Sequence, residues 1–422
     1  MCGIAGWVAP TASAPEERAL QPMLDALYHR GPDGAGSCFY SAERGAYRVA
    51  LGHRRLAIID PNGSRQPMRD DAAGLALTFN GEIYNFRELR AELEAHGHAF
   101  ERDSDTEVLL RAYQQWGTQC VNRLRGQFAF AVWDARAERL FLARDRFGEK
   151  PLYLYEANGA LYFASEIKAL LKLPQVSREV DLSAVWDYLA YRYVPGPRTL
   201  LAAIRKLPPA SVAIWHRGHL QEIRYWTPPD KFPRAKTTTL ANRDTPPAFL
   251  AQLGESVELQ MVSDVPFGAY LSGGLDSSVV VALMTRYSPK VKTFSVGFDG
   301  DRQSELSHAA TVAQQFGTEH HEMVVTHRDF IDYLPQLDEY GLIIHDGGTS
   351  HYVIHYCPWC GHRLPKSTRD ASPIDGLRVS PAEEQETASA GRRATTRRRP
   401  RRRRTSNEGT RERPGAASDS SV

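Results

Sequence analysis

The sequence predicts a mixed α+β layer structure over its first half, then the start of a parallel α/β sheet, then a disordered tail. Three observations predict this. From Gly3 to about Lys172 short apolar runs mix with a few stretches of helical spacing. Between Val265 and Val325 the pattern runs strand, glycine turn, helix, strand, helix, strand, as at the start of a doubly wound sheet. After about Asp370 periodicity is lost and Arg392 to Arg404 is an Arg-rich run.

A chain of 422 residues is long enough for two or three domains with full cores. No apolar run approaches the roughly 18 residues of a membrane span, and no basic segment precedes an apolar one. No membrane contact or secretory signal is therefore expected, and a cytoplasmic location is. Five Cys in such a chain do not make a disulfide framework, which fits a reducing compartment. The formal net charge of +2 conceals a mildly acidic body and a basic tail. Nucleic acid is not an expected partner; only the Arg-rich tail could touch phosphates, and its composition reads as disordered or as a fused or out-of-frame end.

The elements follow in order. Cys2 stands directly after the initiator, so loss of Met1 would place a thiol and a free α-amine on one residue. An amine of reference pKa roughly 7.7 to 8.0 can take the thiol's proton. The runs Ala76–Phe79, Gln127–Trp133 and Arg139–Ala143 read as strands, and Phe86–His96 and Thr106–Trp116 have helical spacing. The stretch from Arg144 to Leu170 reads as a hairpin followed by a packed helix. Between residues 173 and 226, Val194-Pro195-Gly196-Pro197 and Lys206-Leu207-Pro208-Pro209 are proline-fixed turns. Thr, Pro and charge replace apolar periodicity from Thr227 to Pro247, which reads as a linker; a new domain begins near Ala248 with a helix ending near Met261.

In that domain the strand Val265–Leu271 enters the turn Ser272-Gly273-Gly274, and the helix Asp276–Tyr287 follows. Gly273 and Gly274 let backbone N–H groups approach a phosphate, the helix N-terminus adds partial positive charge, and Ser272, Ser277 and Ser278 supply hydroxyls. This is the composition of a pyrophosphate cradle without the Lys of a Walker A loop. Strand Val291–Phe298, helix Glu305–Phe316 and strand Glu322–Val325 continue the unit. Further on, Cys357 and Cys360 have zinc-knuckle spacing. They are two ligands of four, and His345, His351, His355 and His362 could complete a Zn²⁺ site or be surface residues.

Cys2, His29-Arg30-Gly31-Pro32-Asp33-Gly34, Arg55-Leu56-Ala57-Ile58-Ile59-Asp60, Phe79-Asn80-Gly81-Glu82-Ile83-Tyr84-Asn85 and Ser104-Asp105-Thr106-Glu107 form an ordered set. The set resembles the glutaminase domain of class II glutamine amidotransferases, which are N-terminal-nucleophile hydrolases. The resemblance implies an αββα sandwich of two antiparallel sheets between helices, with Cys2 as nucleophile and the Asn80 amide beside the Gly81 N–H as oxyanion donors. It implies that Arg55 and the Leu56, Ala57, Ile58, Ile59 stretch, with Asn80, Gly81, Glu82 and Asp105, bind glutamine: Arg55 on the α-carboxylate, Glu82 and Asp105 on the α-amine. The blocks through Leu170 and the turns to Pro209 are shared with glutamine-hydrolysing asparagine synthetases.

The Leu271 to Ser278 stretch resembles the PP-loop of ATP pyrophosphatases. That likeness implies ATP as substrate at Leu271, Ser272, Gly273, Gly274, Asp276, Ser277, Ser278, Val296 and Gly297, with Leu271 and Val296 lining the adenine pocket and Asp276 holding Mg²⁺ through the phosphates. From Asp338 onward the motifs of such synthetases, including a second phosphate loop and acceptor contacts, are not found, so the synthetase part reads as truncated.

The expected organisation is a glutaminase domain at 2–172, a connecting segment at 173–226, a linker at 227–247, a partial synthetase domain at 248–337, a small CxxC module at 338–370 and the tail at 371–422. The expected function is glutamine-dependent asparagine synthesis from ATP and L-aspartate, with this chain competent only in glutamine hydrolysis. Another carboxylate acceptor, in a polysaccharide or secondary-metabolite pathway, is an alternative, as is an inactive fragment or zinc-knuckle interaction protein. A homodimer is the oligomeric expectation.

Overall fold

The computed structural model describes residues 1–41, 45–61, 63–228, 245–300, 304–326, 328–329, 341–343 and 351–353. The first part contains, in order, β1 (Gly3–Pro10), α1 (Leu20–Asp25), β2 (Gly34–Ser41), β3 (Tyr47–Arg55), β4 (Met68–Asp70) and β5 (Leu75–Ile83). Then come α2 (Phe86–Ala95), α3 (Asp105–Trp116), β6 (Gly126–Asp134), β7 (Arg139–Arg144), β8 (Tyr153–Ala157), β9 (Ala160–Ala164) and α4 (Ile167–Leu170). It closes with α5 (Leu182–Tyr191), β10 (Ile204–Lys206), β11 (Ser211–His216) and β12 (His219–Arg224).

These strands make two six-stranded sheets, in the orders β10-β8-β9-β1-β3-β2 and β12-β11-β7-β6-β5-β4, antiparallel throughout. Side-chain size explains the stacking. On β6, Phe128, Phe130 and Val132 face the helices, packing with Leu89, Leu93, Val108 and Leu109 of α2 and α3. Its alternate positions Ala129, Ala131 and Trp133 face the other sheet, where Ile4 and Val8 of β1 meet them. On β1 the remaining positions Ala5, Trp7 and Ala9 pack outward against α1 and α4. With both faces buried, such strands read as continuous apolar runs although their pairing is antiparallel.

The four layers are helix, sheet, sheet, helix, the sandwich expected from the sequence. The layers extend beyond Lys172, however. Residues of β10 form one edge of the first sheet and β11–β12 one edge of the second, so the segment at 173–226 completes both sheets rather than merely connecting.

The second part holds α6 (Thr245–Gln260), β13 (Gly268–Tyr270), α7 (Leu275–Tyr287), β14 (Lys292–Phe298), α8 (Leu306–Phe316) and β15 (Glu319–Val325). The α6 helix begins before Ala248, with Pro246 and Pro247 in its first turn. A first-turn proline lacks only an N–H that has no intrahelical acceptor, so these prolines start a helix instead of extending the linker. Likewise β15 begins at Glu319, ahead of the apolar Met323-Val324-Val325, because its polar residues pair with β14 along the whole register from Lys292↔Glu319 to Phe298↔Val325.

The three strands are parallel, in the order β13-β14-β15. One face is covered: Leu271, Val281 of α7 and Ala309 and Ala313 of α8 pack together. A second small core joins Val257 of α6 to Leu283, Met284 and Val291. On the other face Phe294, Val296 and Phe298 are 37%, 51% and 62% exposed, and Met323 is 61% exposed. Among the described residues no element covers that face. Two short strands, β16 (Gly341–Ile343) and β17 (His351–Val353), pair antiparallel. Cys357, Cys360, most of the 338–370 segment and the tail lie outside the described residues.

Candidate active site

Cys2 is half-buried at the entrance to β1, and the structure fixes it from several sides. Ser165 exchanges bonds with Ile4: its hydroxyl accepts from Ile4 N at 2.9 Å and its N–H donates to Ile4 O at 2.8 Å. The Arg30 guanidinium donates from Nε to the Cys2 carbonyl at 2.9 Å and from Nη1 to Glu166 at 2.8 Å. His29 also reaches Glu166, at 2.9 Å. Burial would raise the Glu166 carboxyl, but His29 and Arg30 together hold it at about 2, so it stays ionised and the buried Arg30 keeps its partner. Lys150, buried and with its pKa lowered by that burial, stands 3.3 Å from the Met1 sulfur. The sequence showed Arg30, Lys150 and Glu166 only as members of motif blocks. Charges inside otherwise buried blocks were the available signal.

The thiol accepts from Leu56 N at 3.3 Å. Burial pushes the thiol's pKa up, while the Leu56 backbone contact and the neighbouring terminal ammonium oppose the rise. Leu56 opens a loop after β3 whose shape is set by Arg55. The guanidinium donates from Nη1 to Pro61 O at 2.6 Å, and from Nη2 to Asp60 O at 2.6 Å and Ile59 O at 3.3 Å. A five-donor fork retains further N–H groups for a ligand.

One cavity is lined by Cys2, Arg55, Leu56, Ile58, Ile59, Gly81, Glu82 and Asp105, all anticipated from the sequence. Ser64, Gln66, Phe79 and Thr106 also line it and were not anticipated. Gln66 is built in: its Oε1 accepts from Phe79 N at 2.7 Å and its Nε2 reaches Thr106 Oγ1 at 3.3 Å. Ala57 and Asn80 are not lining residues. The Ala57 N–H donates to Asp33 at 2.9 Å.

Asn80 is 1% exposed, and among the described residues neither its amide nitrogen nor its oxygen has a partner. An unpaired buried amide costs on the order of 1–3 kcal/mol, so this amide retains its full capacity to take a hydrogen-bonding partner. Its neighbour must be glycine: a Cβ on Gly81 would lie 2.1 Å from Gln127 O across the β5–β6 pair.

Asp105 is in the first turn of α3, whose N-cap Ser104 accepts from Thr106 N. Its carboxylate accepts from Ile83 N at 3.1 Å. Burial holds both Asp105 and Glu82 above the usual carboxylate range, and Glu82 is raised further by repulsion from Asp105. Two buried carboxylates competing for protons form a site for a cation of ammonium size. The sign for stability follows: an acid with a raised folded pKa keeps a proton that the unfolded chain releases, so stability falls as pH rises above the ordinary carboxylate value. Thermal melts from about pH 5 to about pH 8 should therefore show Glu82→Gln gaining stability relative to wild type as pH rises. A gain that shrinks with pH would contradict the buried-pair account.

In the second part the Ser272 to Ser278 turn closes on itself. Gly274 N donates to Ser272 Oγ at 3.2 Å, and the Ser272 and Ser277 hydroxyls are 3.0 Å apart. Gly273 has φ +77°, and a Cβ there would lie 2.5 Å from the His308 carbonyl carbon, so only glycine fits. The Ser278 hydroxyl is buried without a partner among the described residues. Asp276 is exposed in the first turn of α7. These features fit a polyphosphate on a helix N-terminus, with one carboxylate available for a phosphate-bound Mg²⁺.

Val296 is exposed near the C-terminal end of β14, and Gly297 approaches Leu306 of α8. Leu271, by contrast, is 2% exposed and packs under the loop with Val281 and Ala309. Its N–H donates to Phe294 O at 2.9 Å and its carbonyl accepts from the Ser295 hydroxyl, which fixes the strand end that enters the loop. Among the described residues no group of three or more His, Cys, Asp or Glu is gathered as metal ligands.

Comparison with known proteins agrees with this division. The family described as "Glutamine amidotransferase domain" matches residues 1–226, and the family described as "Asparagine synthase" matches residues 248–352, past the Asp338 limit read from motifs. Asparagine synthetase (glutamine-hydrolyzing) 1 of Bacillus subtilis is 38% identical over 343 residues, covering 80% of this chain and 52% of its own. Asparagine synthetase B of Escherichia coli is 34% identical, over 79% of this chain and 55% of its own. A Methanocaldococcus jannaschii relative of the same family name is 33% identical, over 81% of this chain and 68% of its own. The chain thus spans about half the length of the first two. Among solved structures, Bacillus subtilis glutamine phosphoribosylpyrophosphate amidotransferase aligns at a TM-score of 0.40 and 18% identity, over 76% of this chain and 65% of that one.

Proposed function

We propose, from the premise that the chain belongs to the glutamine amidotransferase family and to the glutamine-hydrolysing asparagine synthetases, that Cys2 hydrolyses glutamine and that the ammonia is used in ATP-dependent amide synthesis. The observation that carries the first half is the cavity itself. It places the Cys2 thiol, the Arg55 cation and the Glu82–Asp105 pair around one small space. A free amino acid offers a carboxylate and an ammonium at one end and the amide at the other, which matches this set of groups.

In this reading, removal of Met1 frees the Cys2 α-amine, which takes the thiol proton. The thiolate attacks the side-chain amide carbon, and Asn80 with the Gly81 N–H receives the oxyanion. The amine returns the proton as the C–N bond breaks and ammonia leaves. Water then cleaves the thioester to glutamate and restores the thiol.

The second half of the proposal rests on the Ser272–Ser278 cradle. Aspartate is the acceptor the relatives' names suggest. Its β-carboxylate attacks the α-phosphorus of ATP, pyrophosphate leaves, and ammonia displaces AMP from the resulting acyl adenylate to give asparagine. Mg²⁺, when bound, offsets phosphate charge; Gly273, Gly274, Ser277 and Ser278 orient the pyrophosphate, and Asp276 would contact the ion. Another carboxylate acceptor and a homodimer remain within the proposal, since neither bears on the cradle.

The sheet supports a limit. Phe294, Val296, Phe298 and Met323 form an apolar face that no other described element covers, where parallel sheets are ordinarily covered on both sides. Synthesis by these 422 residues alone is therefore expected to be weak beside glutamine hydrolysis. Incubation with ATP, Mg²⁺, glutamine and a series of carboxylates, with nucleotides resolved by chromatography, tests both points. Slow AMP and pyrophosphate formation is expected with aspartate. ADP as the product would contradict the cradle's assignment, and AMP formation matching glutamate formation would contradict the limit.

A further inference from the structure

The loop from Arg55 to Pro61 brings the Leu56 N–H to the thiol, and its carbonyls hold the Arg55 guanidinium. Its pivot is Asp60, which has φ +48°, a left-handed conformation that a non-glycine residue keeps only when its neighbours fix it. Two neighbours are local: Arg55 Nη2 donates to Asp60 O, and the Ser64 hydroxyl donates to the Asp60 carboxylate at 3.1 Å. The third comes from 204 residues away. Asp60 N donates to Asp264 Oδ2 at 2.8 Å, and Asp264 N donates to Ile58 O at 3.2 Å.

We propose that Asp264 is a positioning residue for the glutaminase site, supplied by the segment that follows α6. The reciprocal pair of hydrogen bonds holds the glutamine-site loop at Ile58 and Asp60, and Asp264 itself does not line the cavity. Two further contacts keep the segment in place. Val262 packs on the same core as Ile59, beside α2 and α3, and Arg125 pairs with Glu255 of α6 at 2.9 Å. Loss of the Asp264 carboxylate leaves the Asp60 N–H without its acceptor and frees the pivot. The Ile59, Asp60 and Pro61 carbonyls then no longer fix Arg55, so glutamine binding suffers before the thiol's own reactivity does. The second part of the chain thereby sets the affinity of the first part's site.

This inference rests on the reading of the Cys2 cavity as a glutaminase. The test is made on the full chain with Asp264→Ala and Asp264→Asn. Asp264→Ala should raise the glutamine KM about tenfold while kcat changes much less. Alkylation of Cys2 by an electrophilic glutamine analogue should slow in parallel, whereas alkylation by iodoacetamide should not. Asp264→Asn keeps an acceptor oxygen for Asp60 N and should stay near the wild-type KM. Amide hydrogen exchange on the wild type gives a second readout that needs no variant, with Asp60 N–H protected. An Asp264→Ala enzyme with wild-type KM, an Asn variant as impaired as the Ala variant, or a fast-exchanging Asp60 amide would each overturn the proposal. Wild-type chain that hydrolyses no glutamine would instead remove the reading on which it rests.

Discussion

Replacing Cys2 by alanine should lower glutamine hydrolysis by about 10⁴-fold or more, to background, if the thiol is the nucleophile as proposed. A chain that retains Met1 should be similarly inactive. In that form the α-amine belongs to Met1, its pKa is lowered chiefly by burial, and the methionine sulfur occupies the space between Arg30 and Lys150. Cys2→Ala should leave the fold intact, since the β1 contacts run through backbone and through Ile4, Trp7 and Val8. Glutamate release followed with the variant and with a Met1-retaining chain checks this. Activity in either would mean that another nucleophile acts.

Asn80→Ala should cost about 100- to 1000-fold in kcat with little change in KM, the usual effect of removing one oxyanion donor. Stability should move the other way or not at all. Both amide atoms of Asn80 are buried and unpaired, so their removal relieves a desolvation penalty that offsets the small cavity left behind. Steady-state kinetics and a thermal melt on one preparation separate the two readings of this residue. A structural asparagine would lose melting temperature along with activity; a catalytic one loses activity alone. A fall in kcat of less than about tenfold would remove Asn80 from the oxyanion site.

Much of the sandwich was legible because its strands write their burial into side-chain size. The run Gln127-Phe128-Ala129-Phe130-Ala131-Val132-Trp133 puts large residues on the helix side and small ones between the sheets, and its period is visible in the letters. The cavity was legible for a different reason: Arg55, Glu82 and Asp105 stand in the motif blocks that resemble class II glutamine amidotransferases, and the structure brings all three to the cavity of Cys2. Partners distant in sequence were not legible. Arg30 meets Glu166 across 136 residues, and Asp60 meets Asp264 across 204. No local spacing encodes such pairs. Other misreadings came from residues whose meaning depends on position. Pro246 and Pro247 read as linker but start α6, and polar Glu319 to His321 read as lying ahead of the strand but pair within it. The amide of Asn80 was named by motif, yet its isolation among the described residues is a property only the packed sheets create.

Mass and activity measured together test whether an N-terminal Cys2 is the glutaminase nucleophile. The purified chain is titrated with an electrophilic glutamine analogue, and glutamate release and peptide masses are followed on the same samples. Cys38 and Cys120 serve as internal controls, since burial raises their thiols to about 11 and about 12 and keeps them unreactive. The account predicts an N-terminus beginning at Cys2, one analogue per chain attached to its sulfur, and activity lost in proportion to that modification. Full activity with Cys2 completely modified, or hydrolysis by a chain that still carries Met1, would contradict it.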